Sequence, residues 1–284
     1  MQIILFNPLA DNLNGRANAE KAVAEYFGDS VETDFRDITK TDYYALYAEL
    51  SDDDLLCLCG GDGTINRFVN DSPYIPPNKI LFFPCGSGND FAHDVVGPDH
   101  GIKPIELNEY IKDLPRVTVK GKEYKFVNGV GYGIDGYCCE EGDRIREEKP
   151  GEKIDYTSIA IKGLLFKFKP RAAEITVDGV TKKYKKVWLA PAMNGRCYGG
   201  GMYPTPDQKR FGDPRMLSTL IFHDSGKLKT LMIFPGIFKG EHIKHTDCCE
   251  VISGKKISVK FDKPTALQID GETIPGVTEY TAEI

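Results

Sequence analysis

The chain has 284 residues, 41% of them hydrophobic, with 36 basic and 42 acidic side chains for a net charge of −6. That is long and apolar enough for two cores, and the surplus of acid, 6 Lys/Arg against 17 Asp/Glu in residues 1–100, disfavours nucleic acid as a partner. No apolar run approaches the ~20 residues of a membrane-spanning helix, and the opening MQIILFNPLADN lacks the basic lead and apolar stretch of a signal peptide, so a cytoplasmic protein is expected.

In chain order, the first hundred residues alternate strand-like apolar runs with helical periodicity. Strands are expected at 3–6, weakly near 31–35, at 55–59 and at 80–83, and helices at 17–27, 43–50, 64–69 and from 89. Such alternation predicts a parallel sheet with helices on its faces. From about residue 116 the pattern turns to short strands with Gly, Asn and Asp between them, at 116–120, 122–128, 173–177, 184–192, 217–222, 249–252, 256–261 and 266–269. This predicts a mainly antiparallel β domain, interrupted by helices at 154–168 and 227–238, the second ended or bent by Pro235 and Gly236. The expected organisation is an α/β domain over 1–115, a β domain over 116–275, and a last strand at 276–284 returning to the first domain.

The eight cysteines show no CxxC spacing and read as reduced, buried small hydrophobes; a thiol nucleophile would need an activating histidine that no recognisable signature supplies. Residues 162–186 carry 8 Lys/Arg around Leu164, Leu165, Phe166 and Phe168, a combination able to approach anionic lipid. Lys182, Lys183, Lys185 and Lys186 in the same region read more simply as a solvated strand face.

Two loops carry the chemistry. The strand 55–59 runs into Gly60-Gly61-Asp62-Gly63-Thr64 and then a helix, so that glycine backbone and free helix N–H groups could meet a phosphate. Asp62 would repel that anion directly but suits Mg²⁺ or a proton-accepting role; an N-cap in an ordinary turn is the plainer alternative. The strand 80–83 likewise runs into Gly86-Ser87-Gly88-Asn89-Asp90 and another helix. Paired loops at the carboxyl ends of strands mark the place where open α/β sheets bind ligands. Neither loop is a Walker motif or a dinucleotide fingerprint.

GGDGTIN (60–66) with GSGNDFA (86–92) resembles the diacylglycerol kinase catalytic-domain family, which includes soluble bacterial lipid kinases and sphingosine kinases. The likeness continues through Asn7-Pro8, FVNGVG (126–131), FPGIFKGEH (234–242) and QIDGE (268–272). The resemblance implies an N-terminal domain like those of NAD kinases and phosphofructokinases, a C-terminal β-sandwich, and an ATP and Mg²⁺ site in the cleft between them. It implies nucleotide binding by Asn7, Gly60, Gly61, Gly63, Thr64, Asn66, Gly86, Ser87, Gly88 and Asn89. It places Asp62, Asp90, Asp270 and Glu272 at the reacting centre, with Glu272 or Asp62 receiving the hydroxyl proton. Read without the family, Asp270-Gly271 is a hairpin turn. A structural magnesium site is also implied, with Asp213 as ligand in the loop 206–213; a solvated turn is the alternative.

The chain departs from the family pattern at Arg67, where a glutamate is usual; the arginine could alter nucleotide binding or lie solvated on its helix. The family's threonine in the second strand-to-helix loop has no secure counterpart between Thr39 and Thr41. On the acceptor side, residues 231–233 with Phe234, Ile237 and Phe238 could line a lipid cleft or cover a sheet as core. The expected function is therefore an ATP- and Mg²⁺-dependent kinase of a lipid alcohol such as diacylglycerol, touching a membrane surface peripherally. Kinases of another lipid, of a soluble alcohol or of NAD, and a weakly catalytic nucleotide- or lipid-binding regulator, are the alternatives. The sequence is also compatible with a homodimer.

Overall fold

The computed structural model describes residues 1–28, 31–86, 88–149 and 154–284. They divide into two compact units, Met1–Leu114 and Pro115–Ile284.

In the first unit, strands β1 (Gln2–Phe6), β2 (Thr33–Asp37), β3 (Leu55–Gly60), β4 (Ile80–Pro84) and β5 (Ile105–Glu106) form a sheet in the order β2-β1-β3-β4-β5. The first four run parallel and β5 is an antiparallel edge strand, too short to show in the periodicity. The helices are α1 (Ala10–Leu13), α2 (Gly15–Phe27), α3 (Tyr43–Glu49), α4 (Asp62–Asp71), α5 (Asp90–Val95) and α6 (Asn108–Ile111). Ala19, Ala22 and Val23 of α2 pack on Ile4, Phe6, Cys57 and Cys59, so the small residues of this helix let it lie close to the strands that lead into the glycine loops. The Asp42 side chain, accepting the N–H groups of Tyr44 and Ala45, starts α3.

In the second unit the strands are β6 (Arg116–Val119), β7 (Lys122–Lys125), β8 (Gly129–Tyr132), β9 (Arg171–Val177), β10 (Val180–Leu189), β11 (Ala192–Met193), β12 (Leu217–His223), β13 (Cys249–Gly254), β14 (Lys256–Ile269) and β15 (Glu272–Glu283). All their pairings are antiparallel. The long β14 changes partner along its length: 257–261 pair with β9 and 267–269 with β8, the register shifting between, where Pro264 removes a ladder donor. One strand thereby serves two layers around a core that includes Tyr132, Phe261 and Tyr280, with Tyr132 and Phe261 rings stacked at 4.0 Å.

Two expectations change here. The last strand does not return to the first domain: β15 lies between β14 and β6, with Val277, Tyr280 and Ala282 in the core of the second unit. Between the strands expected at 122–128 and 173–177, where only the helix at 154–168 was expected, lies a further helix, α7 (Ile134–Glu148). Its two glycines and paired cysteines conceal the helical period, and the structure shows their use, since a Cβ on Gly136 would lie 2.0 Å from the Ala266 carbonyl oxygen. The helix expected at 154–168 is α8 (Tyr156–Lys162) followed by a π-helical turn, Gly163–Lys167; that expected at 227–238 is α9 (Lys227–Ile233) followed by a 3-10 turn, Phe234–Lys239. Ile233, Phe234 and Ile237 are buried, which settles them as core, whereas Met232 and Phe238 are exposed.

Candidate active site

In the first unit the two glycine loops are pressed together. The Gly60 carbonyl accepts the N–H groups of Cys85 (3.0 Å) and Gly86 (2.9 Å), and Asp62 N–H donates to the Gly88 carbonyl (3.1 Å). Backbone meets backbone at this seam: a Cβ on Gly61 would lie 2.4 Å from Gly88 O, and one on Gly86 2.4 Å from Gly61 N. Glycine is needed at both places for room.

Asp62 ties the loops. Its carboxylate, 8% exposed, accepts Asp90 N–H at 2.7 Å and Phe91 N–H at 2.8 Å, so it caps α5 rather than its own helix. The N-terminus of α5 is thus occupied by an anion belonging to the chain. Asp90 is also buried, at the first position of α5. Asn89 Nδ2 donates to Gly86 O (2.8 Å) and Pro84 O (3.2 Å). Asn89 Oδ1 and Thr64 Oγ1 are buried with no partner among the described residues. Both groups keep unused hydrogen-bonding capacity in adjoining loops.

The other expected nucleotide residues lie around these. Asn7, at the end of β1, donates its N–H to Cys59 O (3.3 Å) and accepts Leu9 N–H on its side chain (3.0 Å). Gly63 stands in the first turn of α4, and Asn66, buried one turn on, accepts from Asn70 Nδ2. Ser87 lies outside the described residues. Arg67 reaches Asp71 on its own helix at 3.3 Å, the solvated-helix arrangement. Thr39 and Thr41 both bond to Asp37, through its carboxylate and its carbonyl respectively. The cysteines are all free thiols, and burial pushes the Cys57 thiol up to about 12, as expected of structural groups.

In the second unit Asp270 and Gly271 are the two-residue turn between β14 and β15, with φ of 47° and 95°. The turn has a further task. Asp270 carboxylate accepts the N–H groups of Val127 (2.5 Å), Asn128 (2.8 Å) and Gly129 (3.0 Å), clamping the segment that enters β8. Glu272, next along, is exposed and makes no ion pair among the described residues. Behind the clamped segment is a polar network invisible to motif reading. Buried Arg210 donates to Val127 O and Asn128 Oδ1, both at 2.6 Å, and Asn194 Nδ2 donates to Val127 O at 2.8 Å. Gln268, of the QIDGE run, bonds Asp135 Oδ2 at 2.8 Å. Only the run of glycines at 129–133 hinted that side chains would crowd this backbone.

The loop 206–213 carries Asp213. Asp213 is exposed, and the described residues hold no cluster of three His, Cys, Asp or Glu side chains able to bind a metal. The buried cation of this loop is Arg210 itself.

Comparison with known proteins decides the relationship. The family model described as the diacylglycerol kinase catalytic domain matches residues 2–118, and that described as the YegS C-terminal NAD kinase beta sandwich-like domain matches residues 128–283. The chain belongs to the diacylglycerol kinase catalytic-domain family. A family relative from Staphylococcus epidermidis, named as a candidate lipid kinase, is 30% identical over 78% of this chain and 71% of its own. The diacylglycerol kinase of Mycobacterium tuberculosis is 27% identical over 67% of this chain and 62% of its own length. A solved structure of a diacylglycerol kinase from Bacillus anthracis, 20% identical, superimposes over 99% of this chain and 92% of its own with a TM-score of 0.60, which establishes the shared fold. No helix among the described residues is long and apolar enough to cross a membrane.

Proposed function

We propose that the protein transfers the γ-phosphoryl group of ATP to the hydroxyl of a lipid alcohol such as diacylglycerol, working at a membrane surface. The observation that carries this reading is the seam of the two glycine loops, where Thr64 Oγ1 and Asn89 Oδ1 are buried without partners among the described residues, in a chain of lipid-kinase kinship.

The residues present fit a nucleotide and its metal. Thr64 hydroxyl can donate to a phosphate oxygen, and the bare glycine backbone admits the phosphate chain closely. The carboxylates of Asp62 and Asp90 are the hard oxygen donors that Mg²⁺ prefers. The ion, when bound, neutralises charge developing on the transferred group. The family resemblance assigns the acceptor's proton to Glu272, which is exposed and makes no ion pair among the described residues. Asp62 holds Asp90 and Phe91, and Asp270 holds 127–129, so both carboxylates position backbone whatever else they touch.

The test is incubation of the full chain with labelled ATP and Mg²⁺ against diacylglycerol, phosphatidylglycerol, sphingoid bases and NAD, followed by mass spectrometry of the extracted products. A phosphorylated lipid is expected, with Glu272→Ala lowering kcat at least ~100-fold, the size of losing a general base. Phosphorylation of NAD alone would overturn the lipid reading, and wild-type turnover by Glu272→Ala would overturn the assigned base.

A further inference from the structure

Away from these loops, a cavity of about 320 Å³ in the second unit is lined by Lys167, Lys169 and Arg171, with Glu140 as its one carboxylate. Arg171 Nε is buried with no partner, and none of the three cations makes an ion pair among the described residues. The contrast with the strand-face lysines is direct, since Lys182 pairs with Glu250 and Lys183 with Glu174. A buried guanidinium N–H costs stability unless something accepts from it, and three cations lining the cavity against one acid favour an anion. A fourth cation, Lys120, lies at the Gly276 edge, where its ammonium donates to Pro275 O at 2.6 Å.

The flank of this cavity is greasy. Phe166, adjacent to Lys167 in the π-helical turn, is 75% exposed, and Leu228 and Met232 of α9 are each 76% exposed. The turn and α9 are joined by Lys227 Nζ donating to Leu165 O at 3.0 Å. Exposed aromatic and aliphatic side chains beside unpaired cations suit the boundary between acyl chains and phosphate.

We propose that this cavity binds a phosphate-bearing anion, supplied by the headgroup of an anionic phospholipid whose bilayer receives Phe166, Leu228 and Met232. The choice of lipid as the source rests on the kinase reading; the anion site does not.

Cosedimentation of the full chain without nucleotide tests it, using phosphatidylcholine vesicles with and without phosphatidylglycerol, beside calorimetric titration with inorganic phosphate. Phosphatidylglycerol should raise binding, and Arg171→Gln should lower it roughly fivefold, the factor for one basic residue at an anionic surface. Lys167 and Lys169 are exposed, so Lys167→Gln with Lys169→Gln provides a folded second variant and should lower binding further. The charge-matched pair Lys182→Gln with Lys183→Gln should leave binding unchanged; an equal loss there would mean attraction by net charge and overturn the site. Saturable phosphate binding that needs Arg171 but shows no vesicle preference would overturn the lipid source alone. Wild-type binding by the cavity variants in every arm would overturn the proposal. Because binding is read without turnover, an inactive kinase would leave it standing.

Discussion

Removing the Asp62 carboxylate should unfasten the two glycine loops, and the size of the effect can be worked from its contacts. It accepts two backbone N–H groups, at 2.7 and 2.8 Å, from a site only 8% exposed. Hydrogen bonds to a charged group contribute about 1.5–3 kcal/mol each, and leaving the donors buried and unmet costs a similar amount, partly recovered if water enters the space of the lost side chain. Asp62→Ala should therefore destabilise the first unit by roughly 3 kcal/mol, which for a domain of about a hundred residues lowers its melting temperature by roughly 10–15 °C. Asp62→Asn should recover little, because one of its two terminal atoms becomes a donor facing a donor. Differential scanning calorimetry of the full chain, following the first unit's transition, makes the measurement. A melting temperature within about 2 °C of wild type for Asp62→Ala would refute the clamp. Lost activity in an Asp62 variant therefore does not identify a catalytic role, whereas Glu272, exposed and making no ion pair among the described residues, gives a cleaner result.

Two further outcomes follow from the structure. Gly86→Ala forces a methyl group to within 2.4 Å of Gly61 N, backbone that cannot rotate away, so the loops must part; ATP affinity measured by calorimetry should fall at least ~10-fold with a loss of roughly 2 kcal/mol in stability, and unchanged affinity would show the seam irrelevant to nucleotide. His242, fully buried with Nε2 3.0 Å from Pro204 O, has its pKa held below the ordinary 6.5 chiefly by burial. The unfolded chain then takes up this proton first on acidification, so the histidine's contribution is whole above about pH 6.5 and is lost as pH falls through the depressed folded value. Melting curves between about pH 7 and 5 should show the second unit losing stability more steeply in wild type than in His242→Gln; equal slopes would contradict the assignment.

Much of the architecture was legible because it is written in local periodicity. Apolar runs at 3–6, 55–59 and 80–83, spaced by helical patterns, specify strands and helices that pack as a covered parallel sheet, and β1, β3 and β4 lie where those runs predict. The change at about residue 116 was equally visible, since short alternating strands replace the helical period. α7 was not, because glycines that let a helix pack tightly also erase its apolar stripe, and a residue chosen for closeness carries no hydrophobic signal.

The site divides along the same line. That two glycine-rich turns follow two strands, with carboxylates beside them, could be read along the chain, for these are properties of neighbouring residues. Only the tertiary structure decided what the carboxylates do: Asp62 bonds to backbone 28 and 29 residues away, Asp270 to backbone 141 to 143 residues away, and Arg210 takes the buried place beside Asn128. Such contacts depend on strand register and on which loops the fold brings together, and no local pattern of residue types encodes them.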